Sequence, residues 1–148
     1  MPNTSHDCGL EPRPEQSPFL SLLGSRVRRW EPGLVEIVLD LRQDLTNRAG
    51  IIHGGVIATL LDHGGGFSGT YCEIEGNARF AVTMSLTCNF IRQAKSGTLV
   101  TVGRRTGGGK RIYFADVEIR DDAGHLVATG SGVYRYRSGS ESPQGVRR

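Results

Sequence analysis

The segment G-G-V-I-A-T-L-L-D, residues 54–62, decides the fold of this chain. Its apolar positions recur at the three- and four-residue spacing of an α-helix, and they are Val56, Ile57, Leu60 and Leu61. We predict a helix that begins at Gly54 and ends near the run Gly64-Gly65-Gly66 or at Phe67. Because each glycine costs a helix about 1 kcal/mol, the helix either stops at that run or packs very closely on a neighbour there.

Alternating apolar and polar residues predict strands on both sides of this helix. One strand precedes it at residues 34–41, and four follow it at 81–90, 97–106, 113–119 and 126–137. Ser17-Pro18 predicts the start of a short helix that Gly24 closes. Since no second helix layer can cover the long helix, the sheet must wrap it. The prediction is an α+β fold, in which a curved antiparallel sheet surrounds one central helix and its last four strands form a meander.

The two ends of the chain differ in composition from the middle. Residues 1–16 are rich in Pro, Asn, Ser and Glu, and residues 138–148 read S-G-S-E-S-P-Q-G-V-R-R. Such segments hold too little apolar surface to offset the entropy of ordering, so we predict disordered tails. The 148 residues then provide a single domain at 17–137.

Charge and cysteine usage exclude several classes of protein. The chain has 18 Lys and Arg against 15 Asp and Glu, and no basic stretch alternates with aromatic residues as in single-strand nucleic-acid binders. The three cysteines show no C-x-x-C spacing, which is typical of reduced thiols in a cytoplasmic protein. No apolar run approaches the roughly 20 residues of a membrane span, and we expect no signal peptide. The small basic excess suits a phosphate-bearing ligand.

Residues 47–62, N-R-A-G-I-I-H-G-G-V-I-A-T-L-L-D, hold the densest set of chemical side chains. Gly54 and Gly55 fall at the helix N-terminus, where free N–H groups and the helix dipole bind an anion or a carbonyl oxygen that becomes one. Asp62 interrupts an apolar helix, so it either faces solvent or has a compensating role. Alone, His53 is an ordinary cap or packed residue and Asn47 an ordinary turn residue. The combination carries the functional hypothesis.

The pattern N-x-x-G-x-x-H-G-G, followed by Asp62 seven residues after the second glycine, resembles the hotdog-fold thioesterases of the PaaI-like type and the related human thioesterase superfamily members. The segment A-V-T-M-S-L-T-C-N-F-I-R-Q-A-K at 81–95 is similar to the next strand of that family. The resemblance covers roughly residues 34–137. It implies hydrolysis of acyl-CoA without a metal or a separate cofactor, the CoA being part of the substrate.

The resemblance also implies roles for individual residues. In this family the Gly54 N–H would polarise the thioester carbonyl, and Asp62 would act as general base on water or as nucleophile. Asn47 and His53 would hold the loop, the water or the leaving thiolate, and the Thr83 hydroxyl would orient the water. The CoA phosphates would lie against basic and glycine-rich positions, which are Arg92, Lys95, Gly107, Gly108, Gly109, Lys110, Arg111 and Arg135.

Helix geometry adds an expectation about assembly. Gly54 and Asp62 lie roughly 12 Å apart along a helix that rises about 1.5 Å per residue. They cannot both touch one carbonyl carbon, so if both are catalytic, Gly54 of one chain must face Asp62 of another. We therefore expect a two-fold homodimer with two shared sites. The resemblance agrees, since protomers of the family pair their sheets edge to edge and often form tetramers as dimers of dimers.

Two other functions on the same fold stay open. A non-catalytic acyl-CoA sensor needs no carboxylate at the carbonyl, so Asn47, His53 and Asp62 together argue against it. Hotdog hydratases and dehydratases have a different arrangement of acid and histidine, which the order H-G-G, helix and Asp in this chain does not match. His63 and the glycine run at 64–66 depart from the family pattern, which leaves the acyl specificity open.

Overall fold

The computed structural model describes residues 17–148, so the predicted tail at residues 1–16 lies outside the described residues. A single turn of 3₁₀-helix at Gln43–Leu45 precedes the long helix. The other elements, in chain order, are α1 (Pro18–Leu23), β1 (Arg26–Glu31), β2 (Leu34–Asp40), α2 (Gly54–Ser68), β3 (Asn77–Ala78), β4 (Ala81–Phe90), β5 (Thr98–Gly108), β6 (Ile112–Arg120), β7 (Leu126–Tyr136) and β8 (Val146–Arg147).

Helix α2 lies against one six-stranded antiparallel sheet, whose strand order is β1-β2-β5-β6-β7-β4. Its apolar side chains at helical spacing are buried, and inward-facing residues of the strands complete the same core. Fully buried strand residues of this core include Ile37, Leu39, Leu99 and Ile119. The predicted α+β architecture with one helix wrapped by a curved sheet is confirmed.

The glycine run lies inside α2, which continues to Ser68. A Cβ atom added at Gly65 would lie 2.0 Å from the Tyr134 hydroxyl oxygen. One added at Gly64 would lie 2.8 Å from a Val117 methyl carbon. Of the two alternatives that the sequence left, close packing is therefore the correct one, and the cost of these glycines in helix propensity is offset by contact with the sheet.

Three buried tyrosines hold the C-terminal half of α2 against the sheet. Their hydroxyls donate to helix carbonyls: Tyr134 to Asp62 at 3.3 Å, Tyr113 to Gly66 at 2.7 Å, and Tyr136 to Gly69 at 2.7 Å. The Tyr113 and Tyr134 rings stack with centroids 5.1 Å apart. Each buried hydroxyl thus finds a partner, and the main chain of Asp62 is tied directly to β7.

The strand order corrects the predicted meander. Of the four long strands after the helix, only β5, β6 and β7 are neighbours in chain order, because β4 pairs with β7 rather than with β5. The sequence analysis also did not predict β1, which carries Arg26, Arg28 and Arg29. Arg26 pairs with Asp40 at 3.1 Å and Arg28 pairs with Glu36 across the β1–β2 ladder. Charged side chains of this kind protect an edge strand from further pairing.

The segment 138–148 corrects the predicted C-terminal tail. Val146–Arg147 form β8, which pairs with Asn77–Ala78 of β3. Ser140 is buried, and the Arg79 guanidinium donates to the carbonyl oxygens of Ser140 and Glu141. Polar contacts rather than apolar burial place this segment, so its composition could not reveal it.

Candidate active site

The N-terminus of α2 presents a free backbone donor. His53 is the N-cap residue, and its Nδ1 accepts a hydrogen bond from the Gly55 N–H at 2.8 Å. The neutral ring therefore carries its proton on Nε2. The Gly54 N–H has no acceptor within residues 17–148. A Cβ added at Gly54 would meet only the Phe90 ring, at 3.5 Å, so the surface over this N–H is open to a ligand.

Asn47 fixes the loop that leads into the helix. Its Oδ1 accepts from the N–H groups of Ala49 at 2.9 Å and Ile51 at 3.2 Å, and its own N–H donates to the Ile51 carbonyl at 2.7 Å. Gly50 turns the loop with a positive φ of 71°. Asn47 thus fixes the conformation of the loop, as in an Asx turn. Its influence on Gly54 is indirect, because it positions the loop that leads into the helix.

A cavity of about 370 Å³ adjoins Gly54, and we call it the Gly54 cavity. Most of its wall is apolar, and Arg92 is its cation. The lining residues are Ile51, Ile52, Gly54, Ile57, Phe90, Ile91, Arg92, Gln93 and Val127. One of the predicted phosphate-binding residues, Arg92, therefore shares this cavity with the predicted carbonyl-binding N–H.

The structure brings Asp62 and Thr83, two of the predicted site residues, into contact. The Thr83 hydroxyl donates to Asp62 Oδ1 at 2.6 Å. A β-bulge makes this possible, because Thr83 pairs with Tyr134 whereas Ser85 pairs with Val133, which leaves Met84 as the extra residue. Strict alternation would have put Thr83 on the face opposite Leu86. No feature of the sequence indicates the bulge, so only the resemblance pointed to Thr83.

A second cavity, of about 340 Å³, adjoins Asp62, and we call it the Asp62 cavity. His63 contributes to its wall, and its Nδ1–H donates to the Thr59 carbonyl at 2.9 Å, which fixes the ring beside Asp62. Aromatic, aliphatic and charged residues share the rest of the wall. The lining residues are Ser17, Leu20, Asp62, His63, Gly66, Phe67, Thr70, Arg79, Phe80, Ala81, Thr83, Tyr134 and Arg137.

Two further ionisable groups near Asp62 are held in their neutral forms. Burial raises the pKa of the Tyr134 hydroxyl well above its usual range, and the negative charge of Asp62 adds to the rise. Burial also raises the pKa of the Cys88 thiol, with a further contribution from Asp62. Tyr134 therefore stays a hydrogen-bond donor to the main chain of Asp62.

The predicted catalytic residues fall into two groups within one protomer. Asn47, His53 and Gly54 lie at or before the N-terminal end of α2. Asp62 lies about two turns further along the helix, where Thr83 of β4 contacts it. The Gly54 cavity and the Asp62 cavity have no lining residue in common. One chain therefore does not bring a carbonyl on Gly54 within reach of Asp62.

The predicted phosphate-binding residues are also divided. The Arg92 N–H donates to the Val127 carbonyl, and the Tyr136 N–H donates to the Arg111 carbonyl. Val127 and Tyr136 lie at opposite ends of β7, roughly 30 Å apart at about 3.3 Å per residue. Arg92 and the nearby Lys95 thus lie at one end of the sheet. The predicted phosphate-binding residues at the other end of the sheet are Gly107, Gly108, Gly109, Lys110, Arg111 and Arg135.

Residues 49–128, which include Gly54, Asp62 and Thr83, match the sequence profile of the thioesterase superfamily. The chain belongs to this superfamily. A Pseudomonas aeruginosa protein of the name "Putative esterase PA0474" is 32% identical over 129 residues, which cover 85% of this chain and 93% of that protein. At the level of the family, this membership supports thioester hydrolysis.

Solved structures of other proteins agree on the fold. The conserved protein PA5202 from Pseudomonas aeruginosa is 28% identical with a TM-score of 0.73, over 82% of this chain and 95% of that one. The E. coli PaaI protein from the phenylacetic acid degradation operon is 23% identical with a TM-score of 0.73, over 82% and 86% of the two chains. The hotdog fold implied by the resemblance is confirmed. In the described part of this thioesterase-superfamily chain, no helix is long and apolar enough to cross a membrane.

Proposed function

We propose that this thioesterase-superfamily protein hydrolyses acyl-CoA, as a homodimer with two active sites that each combine Gly54 of one protomer with Asp62 of the other. One observation carries the proposal: the free Gly54 N–H and the Asp62–Thr83 pair lie in separate cavities along the same helix–strand boundary. Each cavity holds half of the groups that a thioester hydrolase needs. A second protomer can supply the other half.

Strand β4 offers the edge through which two protomers would pair. Within residues 17–148 it pairs on one side only, with β7, and it exposes Met84 by 57% and Phe90 by 61%. A long, apolar open edge is a template for pairing with another strand. Antiparallel pairing of two β4 strands about a two-fold axis near their middle sets the Phe90 end of one beside the Thr83 end of the other. Gly54, which lines the same cavity as Phe90, then approaches the partner's Asp62.

The proposed reaction balances with water as the only co-reactant. The thioester oxygen accepts a hydrogen bond from the Gly54 N–H at the positive end of α2. Asp62 takes a proton from a water that Thr83 helps to orient, the water oxygen bonds to the carbonyl carbon, and a tetrahedral oxyanion forms. The C–S bond then breaks, and the Asp62 carboxyl returns the proton to the CoA thiolate. Direct attack by Asp62, with a mixed anhydride hydrolysed by water, is the variant that we retain.

The same dimer would complete the CoA site. Antiparallel β4 pairing carries Arg92 and Lys95 of one protomer toward the end of the other sheet that holds the 107–111 hairpin. Together they offer guanidinium and ammonium groups and bare backbone for the CoA phosphates. No step of this reaction requires a metal, so chelator treatment should leave the rate unchanged. We place the enzyme in the cytoplasm and propose a dimer of dimers as its full assembly.

The test is thiol release from a panel of acyl-CoAs. We expect turnover by the native protein and a loss of about 10²-fold or more in kcat for Asp62→Asn, with binding of CoA retained. Asp116→Asn makes the same chemical change on an exposed position of β6 and should leave kcat unchanged. Absence of thiol release from every acyl-CoA, with CoA still bound, would contradict the proposal and favour a non-catalytic binding protein.

A further inference from the structure

Two arginines, Arg79 and Arg137, line the Asp62 cavity, and neither has a carboxylate partner within residues 17–148. Arg79 is fully engaged: it donates to the carbonyls of Gly69 and Ser140 at 3.4 Å and of Glu141 at 2.7 Å. Its guanidinium also lies 4.1 Å above the Tyr136 ring. Arg79 is therefore a fixed structural cation of this wall.

Arg137 differs from Arg79 because its side chain is exposed and forms no ion pair or hydrogen bond within the described residues. Only its main chain is held, with its N–H donating to the Phe80 carbonyl at 2.8 Å and its carbonyl accepting from Ser140. Arg137 thus lines the cavity and carries a guanidinium that has no partner among residues 17–148 and is available to a ligand.

Strand geometry gives the distance between this cation and the reaction centre. Thr83, which binds Asp62, pairs with Tyr134, and Arg137 lies three residues further along the same chain. At about 3.3 Å per residue the two positions are roughly 10 Å apart. The part of the wall beside them includes Leu20, Phe67 and Phe80. A carbonyl at Asp62 and a charged group at Arg137 can therefore belong to one acyl chain with an apolar middle.

We propose that the Asp62 cavity takes acyl groups that end in a carboxylate, and that Arg137 binds this carboxylate. The inference rests on the proposed acyl-CoA hydrolysis and names its substrate class. An Arg fork matches a carboxylate with two parallel hydrogen bonds, and Arg79 adds positive charge to the same wall. In this arrangement the acyl carbonyl lies at Asp62 and the terminal carboxylate at Arg137. The methylene groups between them pack on the apolar side chains of the wall. An acyl group with an apolar end leaves Arg137 unpaired.

The experiment compares acyl-CoAs that differ only in the terminal group. Adipoyl-CoA is measured against hexanoyl-CoA, and the comparison is repeated with pairs of four and eight carbons. For the native protein we expect kcat/KM to be about tenfold or more higher for the dicarboxylic member of at least one pair, since about 1.4 kcal/mol of binding gives tenfold. Arg137→Gln should abolish this preference, mainly through KM, and leave the hydrolysis of hexanoyl-CoA unchanged. Arg137→Lys keeps the positive charge but loses the two parallel hydrogen bonds of a guanidinium, so it should retain part of the preference for the dicarboxylic substrate.

Arg120→Gln is the matched control, because Arg120 lies at the far end of β6 and pairs with Glu118. It should leave the preference intact. Equal or better hydrolysis of the neutral member in every pair overturns the inference, while the proposed function stands. An equal rise in KM for both members on Arg137→Gln also overturns it, because Arg137 would then bind the CoA part. Absence of thiol release from all substrates would instead defeat the proposed function itself.

Discussion

The two ends of helix α2 use glycine for opposite purposes. At the N-terminal end Gly54 has open space above it and a free N–H. At the C-terminal end a Cβ at Gly65 would lie 2.0 Å from the Tyr134 hydroxyl, and helix carbonyls are held by tyrosines. The N-terminal end leaves space in which a ligand could lie, whereas at the C-terminal end side chains of the sheet fill the space next to the glycine. The helix is therefore open at the end where we propose that the substrate binds, and closely packed at the end that holds the main chain of Asp62.

The role of the N-terminal end of α2 can be tested by removing the Gly54 N–H. Gly54→Pro deletes the N–H but suits the first position of a helix, where proline is favoured. His53 has φ −65° and ψ 137°, the extended conformation that a residue before proline prefers. We expect kcat to fall about 10²–10³-fold, as for the loss of an oxyanion donor, while the melting temperature changes little. An enzyme that keeps its full rate would show that this N–H does not act on the substrate.

The closed end should respond in stability instead. Gly65→Ala forces a methyl group into the Tyr134 ring, and overpacking of this kind costs about 1–3 kcal/mol. Gly54→Ala adds the same methyl where the nearest atom is at 3.5 Å, so its free energy of unfolding should stay near that of the native protein. Urea denaturation of both variants measures the contrast. Equal destabilisation of the two would refute the distinction between the ends.

Thr83 tests the contact that the β-bulge creates. Thr83→Val keeps the shape of the side chain but removes its hydrogen bond to Asp62 Oδ1. Hydrogen bonds to charged groups contribute about 1.5–3 kcal/mol, so we expect kcat to fall about tenfold or more. Thr83→Ser restores the hydroxyl and should recover most of the rate. Failure of serine to restore the rate would mean that the methyl group, and not the hydroxyl, matters.

The tyrosines that hold the closed end give the smallest effect and the closest control. Tyr134→Phe removes the donor to the Asp62 carbonyl, and Tyr113→Phe removes the same kind of donor to Gly66. Each should cost about 1 kcal/mol of stability. Only Tyr134→Phe should also lower kcat, by a few-fold, because it alone loosens the main chain of Asp62. A similar fall in kcat for both would assign the effect to general packing.

Periodicity in the sequence predicted the central helix, its start at Gly54 and the strands that follow, because apolar side chains mark the buried face of each element. It could not predict the position of β4 at the edge beside β7, since pairing depends on contacts between distant residues. Strand β1 was missed because a register shift between Val27 and Arg29 breaks the alternation of its core-facing residues, which include the buried Trp30. The segment 138–148 was missed because carbonyl contacts with Arg79 hold it. These contacts leave no apolar pattern.

The site was predicted unevenly for the same reason. Gly54 and Asp62 are marked in the sequence because a glycine at a helix start and an acid in an apolar helix both need an explanation. Thr83 depends on the register shift at Met84, which no local pattern reveals. The free cation of Arg137 was missed because its importance comes only from the cavity that it lines.

The most direct test of the shared site is complementation between two inactive variants. Asp62→Asn and Gly54→Pro are mixed under conditions that let subunits exchange, and thiol release is measured. If each site combines Gly54 of one protomer with Asp62 of the other, half of the dimers are mixed and each contains one intact site. The mixture should then regain about a quarter of the native rate. A mixture no more active than the mean of its two components would contradict the shared site.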